Sequence, residues 1–201
     1  MPRMAIKTDN PNPNPNPQSG PRTRIALSTF LTLLTLSIAV ALVAAEGLSS
    51  AGIRWTIPAG WTEQAARAMR VATYTVPGKG SDPGECGVFF FGKGQGGTAE
   101  DNIARWTSQF EGSPKAKTSV ETVAGLKVHR VETGGTYLAP SGPMMQSQGK
   151  KPGYRLIGAI VEAPDGIVFF KCTGPAATIA ANERAFDGLV KSIQKVAAAR
   201  F

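Results

Sequence analysis

VFFF at residues 88–91 and IVFF at residues 167–170 carry an apolar side chain at every position. Successive residues of a β-strand point to opposite faces of a sheet, so a run of this kind needs cover on both faces. Helical patterns occur at residues 98–111 and about 178–196. We therefore predict an α+β domain in which a mostly antiparallel central sheet has helices on both faces, an α/β/α sandwich.

The other strands are predicted from β-like apolar runs and from the turn residues that separate them. All predicted strands together cover residues 53–57, 69–76, 86–92, 118–123, 126–132, 154–163 and 167–172. Ala124 with Gly125, and residues 164–166, are short turns between neighbouring strands, so each turn predicts a hairpin. Residues 139–152 (APSGPMMQSQGKKP) are the longest irregular segment and are predicted to be a loop.

The chain divides into a targeting part and a folded part. Residues 1–24 are a polar n-region with a PNPNPNP spacer, which its prolines hold extended and which we predict to be disordered. Residues 25–45 are uncharged and largely apolar, which indicates either the core of a cleaved signal peptide or an uncleaved membrane anchor. Residues 46–52 are predicted to be a short linker, and residues 53–201 a single globular domain.

Export follows from either interpretation of the apolar segment. The folded part is expected to be periplasmic or extracellular, or to be held at the membrane by residues 25–45 alone. The net charge of +8 permits contact with acidic partners, but the basic residues are scattered along the sequence. Because phosphate neutralisation needs a clustered basic face, we predict no nucleic-acid partner.

Four motifs occur in an order that resembles a group of uncharacterised exported bacterial proteins. They are RWTIPAGW (54–61), AMRVATYTVP (68–77), GQGGTAEDNIARWTSQF (94–110) and YRLIGAIVEAPDGIVFFKCTGP (154–175). The pattern is similar to the fold shared by PsbP, the extrinsic protein of the oxygen-evolving photosystem, and a yeast Ran-binding import factor. The resemblance covers about residues 53–195 and implies a PsbP-like sandwich with an accessory or binding role, and it brings no catalytic residues.

A glycine-rich turn lies between a predicted strand and a predicted helix. Gly92, Gly94 and Gly97 have the spacing GxGxxG, but the antiparallel hairpins around them argue against a dinucleotide-binding fold. A Walker loop is excluded because Thr98 stands where that loop has lysine. The turn is either a flexible lead into the helix or an anion site formed by glycine amides, Lys93 and the helix N-terminus.

The helix after this turn carries a polar stripe of Asn102, Arg105 and Gln109. An arginine with two amides can recognise a carboxylate or a peptide backbone. The alternative is a solvated face that ties neighbouring loops together. Thr98 and Asp101 have the spacing of a weakened capping box, which predicts where the helix begins.

The predicted loop at residues 139–152 is a second candidate surface. Long loops on a rigid sheet often carry function, and Met144 with Met145 could form an adaptable apolar contact. Tyr137 and Tyr154 stand at the two ends of the loop and could frame a pocket. The alternative is an ordinary mobile loop.

Complete catalytic or metal-binding sets are absent from the sequence. His129 is the only histidine and lies in a predicted strand, and there is no GxSxG motif for a serine hydrolase. One histidine and two separated cysteines do not assemble an ordinary zinc site, and no cofactor is predicted. Cys86 and Cys172 each lie at one end of a β-like run and either form a disulfide or remain buried thiols.

These observations lead to three hypotheses about function. The first is a non-enzymatic exported domain that binds a protein or another envelope component through the turn at residues 92–97, the following helix and the loop at residues 139–152. The second is a carrier of a small ligand or anion that uses Lys93, the glycine amides and Arg105. The third, a hydrolase with two carboxylates, lacks any pair that the sequence places in one cleft.

Overall fold

A computed structural model gives the structure of the chain and describes residues 48–78, 82–141 and 146–196, with side chains described outside residues 139–148. The elements follow in the order β1 (Ser49–Ser50), β2 (Ile53–Arg54), β3 (Thr62–Glu63), β4 (Ala72–Val76), β5 (Gly84–Phe90), α1 (Ala99–Thr107), β6 (Lys117–Val123), β7 (Leu126–Ser141), β8 (Gln146–Ala163), β9 (Gly166–Pro175), α2 (Ala176–Lys191) and β10 (Gln194–Lys195).

Seven of these strands form one sheet in the order β3-β4-β5-β9-β8-β7-β6. Every neighbouring pair in this sheet is antiparallel. The short strands β1, β2 and β10 form a second antiparallel sheet. The described residues form two helices beside a mostly antiparallel sheet, so the domain belongs to the α+β class, as the sequence predicts.

Both predicted hairpins are confirmed. β6 and β7 are joined by Ala124 and Gly125, which have φ angles of 48° and 72°. Two consecutive positive φ angles define the turn whose twist suits a two-residue hairpin, and glycine adopts such an angle without steric strain. β8 and β9 pair up to Ala163 and Gly166, so the second turn also lies at its predicted place.

The hairpin of β7 and β8 is longer than predicted. The segment at residues 139–152, expected to be a loop, lies mostly in strands, since β7 ends at Ser141 and β8 begins at Gln146. Shifts in register interrupt the pairing between residues 135 and 140. Backbone pairing continues through this segment without alternating apolar side chains, so the pattern that predicts a strand gives no signal there.

Two predicted strands are shorter than expected. β2 spans only Ile53–Arg54 instead of residues 53–57, and β4 begins at Ala72 instead of Met69. Met69 is 76% exposed and has a φ angle of 64°, and this positive angle is incompatible with the extended backbone of a paired strand. The alternation that suggests a strand thus begins three residues before the backbone becomes extended.

Residues 48–52, predicted to belong to a linker, are part of the folded unit. They include β1, which pairs with β2. The Asp165 N–H donates to the Ala51 carbonyl at 3.1 Å, and the Val196 N–H donates to the Gly52 carbonyl at 2.9 Å. These bonds attach the segment to a hairpin turn and to the end of the described chain.

Two clusters of buried side chains form the core. The larger cluster contains the predicted stripe of the last helical segment, namely Ile179, Phe186, Leu189, Val190 and Ile193. Phe170 belongs to the larger cluster, whereas Phe169, the preceding residue of β9, belongs to the smaller one with Trp106 of α1. Phe91 is an exception to the prediction that the two apolar runs are covered on both faces. It follows the end of β5 and is 37% exposed.

The predicted capping box of α1 is confirmed. The Asp101 N–H donates to Thr98 Oγ1 at 3.1 Å, and the Thr98 N–H donates to Asp101 Oδ2 at 3.3 Å. These bonds satisfy donors that the first turn of a helix leaves open. Across the described ranges, neither helix is long and apolar enough to span a membrane.

Candidate small-anion site

Three of the predicted site residues, Gln109, Tyr137 and Tyr154, lie around one cavity of about 430 Å³. The sheet strands β5, β7, β8 and β9 supply most of its wall, and the residues just after α1 close one side. The cavity is also lined by Arg70, Glu85, Phe89, Lys151 and Lys171. Three cationic side chains and one carboxylate therefore meet beside several aromatic rings.

Lys171 lies between two glycines in the middle of the sheet. The register pairs it with Gly87 of β5 and with Gly158 of β8. A Cβ atom at Gly87 would lie 2.8 Å from the Phe89 ring and 3.4 Å from the Arg70 guanidinium. The absence of a side chain at Gly87 therefore gives these two groups the space beside Lys171.

The Lys171 ammonium has a neutral partner. Its Nζ donates to the Gln109 side-chain oxygen. Gln109 is fixed to β7, because the Leu138 N–H donates to its carbonyl at 2.8 Å and the Glu111 N–H donates to the Thr136 carbonyl at 2.9 Å. Among the residues that the structure describes, no carboxylate forms a salt bridge with Lys171. Its positive charge is thus available to a ligand.

Partial burial makes Lys171 an unusual lysine. Burial, and to a lesser extent the Arg70 charge, lower the pKa of its ammonium from 10.5 to about 8, although the Glu85 charge acts in the opposite direction. At neutral pH most copies of the chain carry the charged form, and a small fraction carries the free amine. The same side chain can therefore hold an anion or act as a nucleophile.

The low pKa of Lys171 predicts that stability rises between pH 8 and pH 10. In this range the unfolded chain, whose lysine titrates near 10.5, binds protons that the folded chain has released. We expect Lys171→Met to remove roughly 2 kcal/mol of this pH-dependent gain. Urea unfolding of the full chain at pH 7, 8, 9 and 10 measures it, and equal pH profiles for both proteins would contradict the assignment.

Two tyrosines form an aromatic wall with a cation beside each ring. The rings of Tyr137 and Tyr154 are nearly parallel, with centroids 5.9 Å apart. Lys171 Nζ lies 5.7 Å from the Tyr137 centroid, and Lys151 Nζ lies 5.5 Å from the Tyr154 centroid. Burial, with a contribution from the Glu85 charge, raises the pKa of Tyr137 to about 12. Its hydroxyl therefore keeps its proton at neutral pH and can donate to a ligand.

Arg70, which also lines the cavity, is held by an ion pair. Its guanidinium donates to Glu85 at 2.6 Å and lies 5.3 Å from the Phe89 centroid. Arg67 also donates to Glu85, at 2.7 Å. Burial opposes ionisation of Glu85, but the hydrogen bonds and charges of Arg70 and Arg67 outweigh it and lower its pKa. The single carboxylate is thus shared by two arginines, which leaves a positive excess in the cavity.

The glycine turn and the helix N-terminus use their polar groups internally. Asn102 is buried, and its side-chain amide donates to the Gly96 and Thr98 carbonyls at 2.7 and 2.8 Å. Its oxygen accepts from Arg105 at 3.2 Å. The Asp101 carboxylate already lies at the helix N-terminus. An added anion would meet this negative charge, so the geometry does not favour an anion site here.

The predicted helical stripe is therefore divided among three environments. Asn102 stabilises the preceding turn, Gln109 contacts Lys171, and Arg105 is exposed. Lys93, Gly94 and Gly97 lie in an exposed turn outside the cavity. Met144 and Met145 lie outside the described residues.

The side chains of the two cysteines and of the histidine have partners within the fold. Cys86 and Cys172 lie directly opposite each other in β5 and β9 and are joined by a disulfide. His129 is buried, and its Nε2 lies 2.9 Å from a Glu162 oxygen that also contacts Lys127 at 2.8 Å. Hydrogen bonds from Lys127 and His129 lower the pKa of Glu162. In the described part of the chain, no group of acidic, histidine or cysteine side chains could hold a metal ion.

Sequence reasoning missed Arg70, Lys151 and Lys171. The sequence does contain a signal for Lys171, because this lysine is the one charged residue in the otherwise apolar run IVFFKC. A lysine inside a buried strand needs either a partner or a cavity. Lys151 gave no comparable signal, since it lies among polar and turn residues, and Arg70 lies in a segment predicted to be an alternating strand, where a charged side chain on one face is ordinary.

Another cavity, of about 330 Å³, contains arginines that are already paired. Arg130 contacts Asp187, and Arg155 contacts Glu132 and Glu183. These ion pairs join α2 to β7 and β8. A ligand anion would have to compete with several carboxylates, so this cavity is a weaker candidate than the one at Lys171.

No family model matches the chain, and no curated protein matches it in sequence. The solved structures that are similar to it include the following two. One is the crystal structure of PA94, a protein of unknown function from Pseudomonas aeruginosa, with 16% identity, a TM-score of 0.39 and coverage of 68% of this chain and 86% of that chain. The other is the solution structure of PsbP (CyanoP) from Synechocystis sp. PCC 6803, with 13% identity, a TM-score of 0.43 and coverage of 77% and 99%. The resemblance to PsbP that the motifs predict is found again here, and it concerns the fold alone.

Proposed function

We propose that this domain binds a small anion with a planar apolar body in the cavity at Lys171. The observation that supports this most directly is the meeting of Lys171, Arg70 and Lys151 at one cavity that offers a single carboxylate, Glu85. The role is that of a non-enzymatic binding protein. This proposal retains the carrier hypothesis from the sequence, but its ligand binds at Lys171 instead of at the glycine turn.

The charges of the cavity favour an anionic group. Glu85 accepts from two arginines, and among the described residues the partner of Lys171 is an amide oxygen. A carboxylate or phosphate could therefore accept hydrogen bonds from Lys171 without breaking a salt bridge. Hydrogen bonds between charged groups in a partly buried site are about twice as strong as those between neutral groups.

The aromatic residues favour a planar body beside the anionic group. Tyr137 and Tyr154 present parallel rings, and Phe89 lines the same cavity beneath Arg70. Flat apolar groups stack well on such rings. The cavity volume of about 430 Å³ is in the range of small-ligand sites.

Phenyl phosphate is a suitable probe, with inorganic phosphate and phenol as its two halves. In calorimetry with the full chain at pH 7, we expect phenyl phosphate to bind more tightly than either half. Lys171→Met should weaken it at least tenfold, because a charge-assisted hydrogen bond contributes about 1.5–3 kcal/mol. The matched control is Lys93→Met, which removes an exposed charge outside the cavity.

The control decides between a site and a general charge effect. Equal weakening by the two variants would indicate non-specific attraction to a basic protein and would contradict the proposed site. Unchanged binding in Lys171→Met would contradict it as well.

We also infer that the two helices cover opposite faces of the large sheet. The support is the alternation along β9, where Phe169 packs with Trp106 of α1 and Phe170 lies in the cluster of α2. The finer architecture is then an α/β/α sandwich. A crystal structure with Trp106 and Phe186 on one face would contradict this inference.

The place of action that we propose is outside the cytoplasm. The uncharged run at residues 25–45 after Arg22 and Arg24 supports export, and the disulfide of Cys86 and Cys172 suits an oxidising compartment. Alkylation of the chain isolated without reductant should modify neither cysteine. Two alkylated thiols would argue against this location.

A further inference from the structure

We propose that Lys171 forms an imine with ligands that carry an aldehyde or ketone next to their anionic group. The inference rests on the proposed function, because the anionic group must first bind in the cavity. It adds a reversible covalent step and thereby names the class of ligand, a carbonyl compound with a carboxylate or phosphate.

The position of Lys171 supports this step. Its Nζ lines a cavity, contacts the neutral Gln109 amide, and has glycines on both neighbouring strands. Gly87, which lines the cavity, adds no side chain that would shield the amine from a ligand. With no salt bridge to a carboxylate in the part of the chain that the structure describes, the nitrogen can lose its proton without breaking an ion pair.

The protonation state of Lys171 supports the same step. With a pKa of about 8, roughly a tenth of the side chain is free amine at pH 7, against less than a thousandth for an ordinary lysine. Only the free amine is nucleophilic, and burial beside a cation is a known way to activate lysine toward carbonyl groups. Tyr137 lines the same cavity, and its protonated hydroxyl is a hydrogen-bond donor for the carbonyl oxygen.

The chemistry needs no further reactant. The nitrogen lone pair of the free amine attacks the carbonyl carbon, and the oxygen takes up a proton to give a carbinolamine. The carbon–oxygen bond then breaks, the oxygen leaves as water with both protons of the amine, and a carbon–nitrogen double bond remains. Nothing is oxidised or reduced, and water reverses the reaction.

Pyridoxal 5′-phosphate is the probe for this step, because it combines a planar ring, a phosphate and an aldehyde. Pyridoxine 5′-phosphate, which has an alcohol in place of the aldehyde, is the matched non-reactive ligand. After borohydride reduction of any imine at pH 7, we expect peptide mass mapping to find Lys171 modified at least tenfold faster than Lys93. Lys171→Met, which lacks the reactive amine, should show only the slow labelling of the other lysines, and labelling of Lys171 in the wild type should rise with a midpoint near pH 8.

The two compounds separate failure of the imine from failure of the site. If pyridoxine 5′-phosphate binds in calorimetry but the aldehyde labels Lys171 no faster than Lys93, the cavity binds anions and the imine proposal is overturned. If neither compound binds, the proposed function fails and the imine with it. The pH midpoint is measured on the wild-type chain, so it remains decisive if Lys171→Met does not fold.

Discussion

Replacing both Cys86 and Cys172 with alanine is expected to lower the free energy of unfolding by about 4 kcal/mol. The disulfide joins residues 86 positions apart and therefore restricts a long loop of the unfolded chain. In the folded chain both sulfurs are buried in the larger core cluster, so their removal also leaves small voids. Chemical unfolding of the oxidised full chain and of the double variant measures the difference.

Reduction of the wild-type chain provides the control. With dithiothreitol, its unfolding midpoint should move most of the way to that of the double variant, whose own midpoint should not respond to the reagent. A wild-type midpoint that is the same with and without reductant would show that the bond contributes little to stability.

The second large effect is expected at Gly158, where alanine should cost about 1–3 kcal/mol. A Cβ atom there would lie 2.4 Å from the Trp106 ring and 2.9 Å from a Val131 methyl. Trp106 is 5% exposed and is packed against Phe169, so its ring has little room to move. The close approach of α1 to the sheet depends on this glycine.

Gly188→Ala is the matched control for Gly158→Ala. Gly188 lies in α2, where a Cβ atom would meet nothing within 4 Å. Because alanine is the better helix former, this substitution should stabilise the chain by about 0.5–1 kcal/mol. Thermal unfolding of both variants tests the pair, and equal changes would argue against tight packing at Gly158.

The sequence was most informative where local chemistry determines the structure. Thr98 and Asp101 predicted the start of α1, and Ala124 with Gly125 predicted a tight turn, because both signals involve residues close together in the chain. The apolar stripe that includes Phe186 predicted the buried face of α2 in the same way. In these cases a few adjacent residues carry the whole physical argument.

Prediction from the sequence failed where the structure depends on pairing between segments that are distant in the chain. The ends of β7 and β8 contain few apolar residues, and their strand structure depends on backbone hydrogen bonds to each other. The same limit applies to the site. Tyr137 and Tyr154 were predicted together as the frame of a pocket and Gln109 as part of a helical stripe, but their meeting with Lys171 depends on a register that no local pattern reveals.

The polar stripe of α1 shows a related limit. Helical spacing places Asn102, Arg105 and Gln109 near one another, but it does not say which neighbours each one meets. Asn102 proved to close the glycine turn, and Gln109 proved to contact a lysine 62 residues further along the chain. A pattern within one element cannot identify partners that other elements supply.

Chemical-shift mapping with phenyl phosphate tests the location of the site most directly. Isotope-labelled full chain is titrated with the ligand at pH 7, and the shifts of backbone amides and of the Lys171 side chain are followed. The proposed site predicts the largest changes at Lys171, Tyr137 and Tyr154, and little change at residues 92–97. Changes centred on the glycine turn, or none in the cavity at saturating ligand, would contradict it.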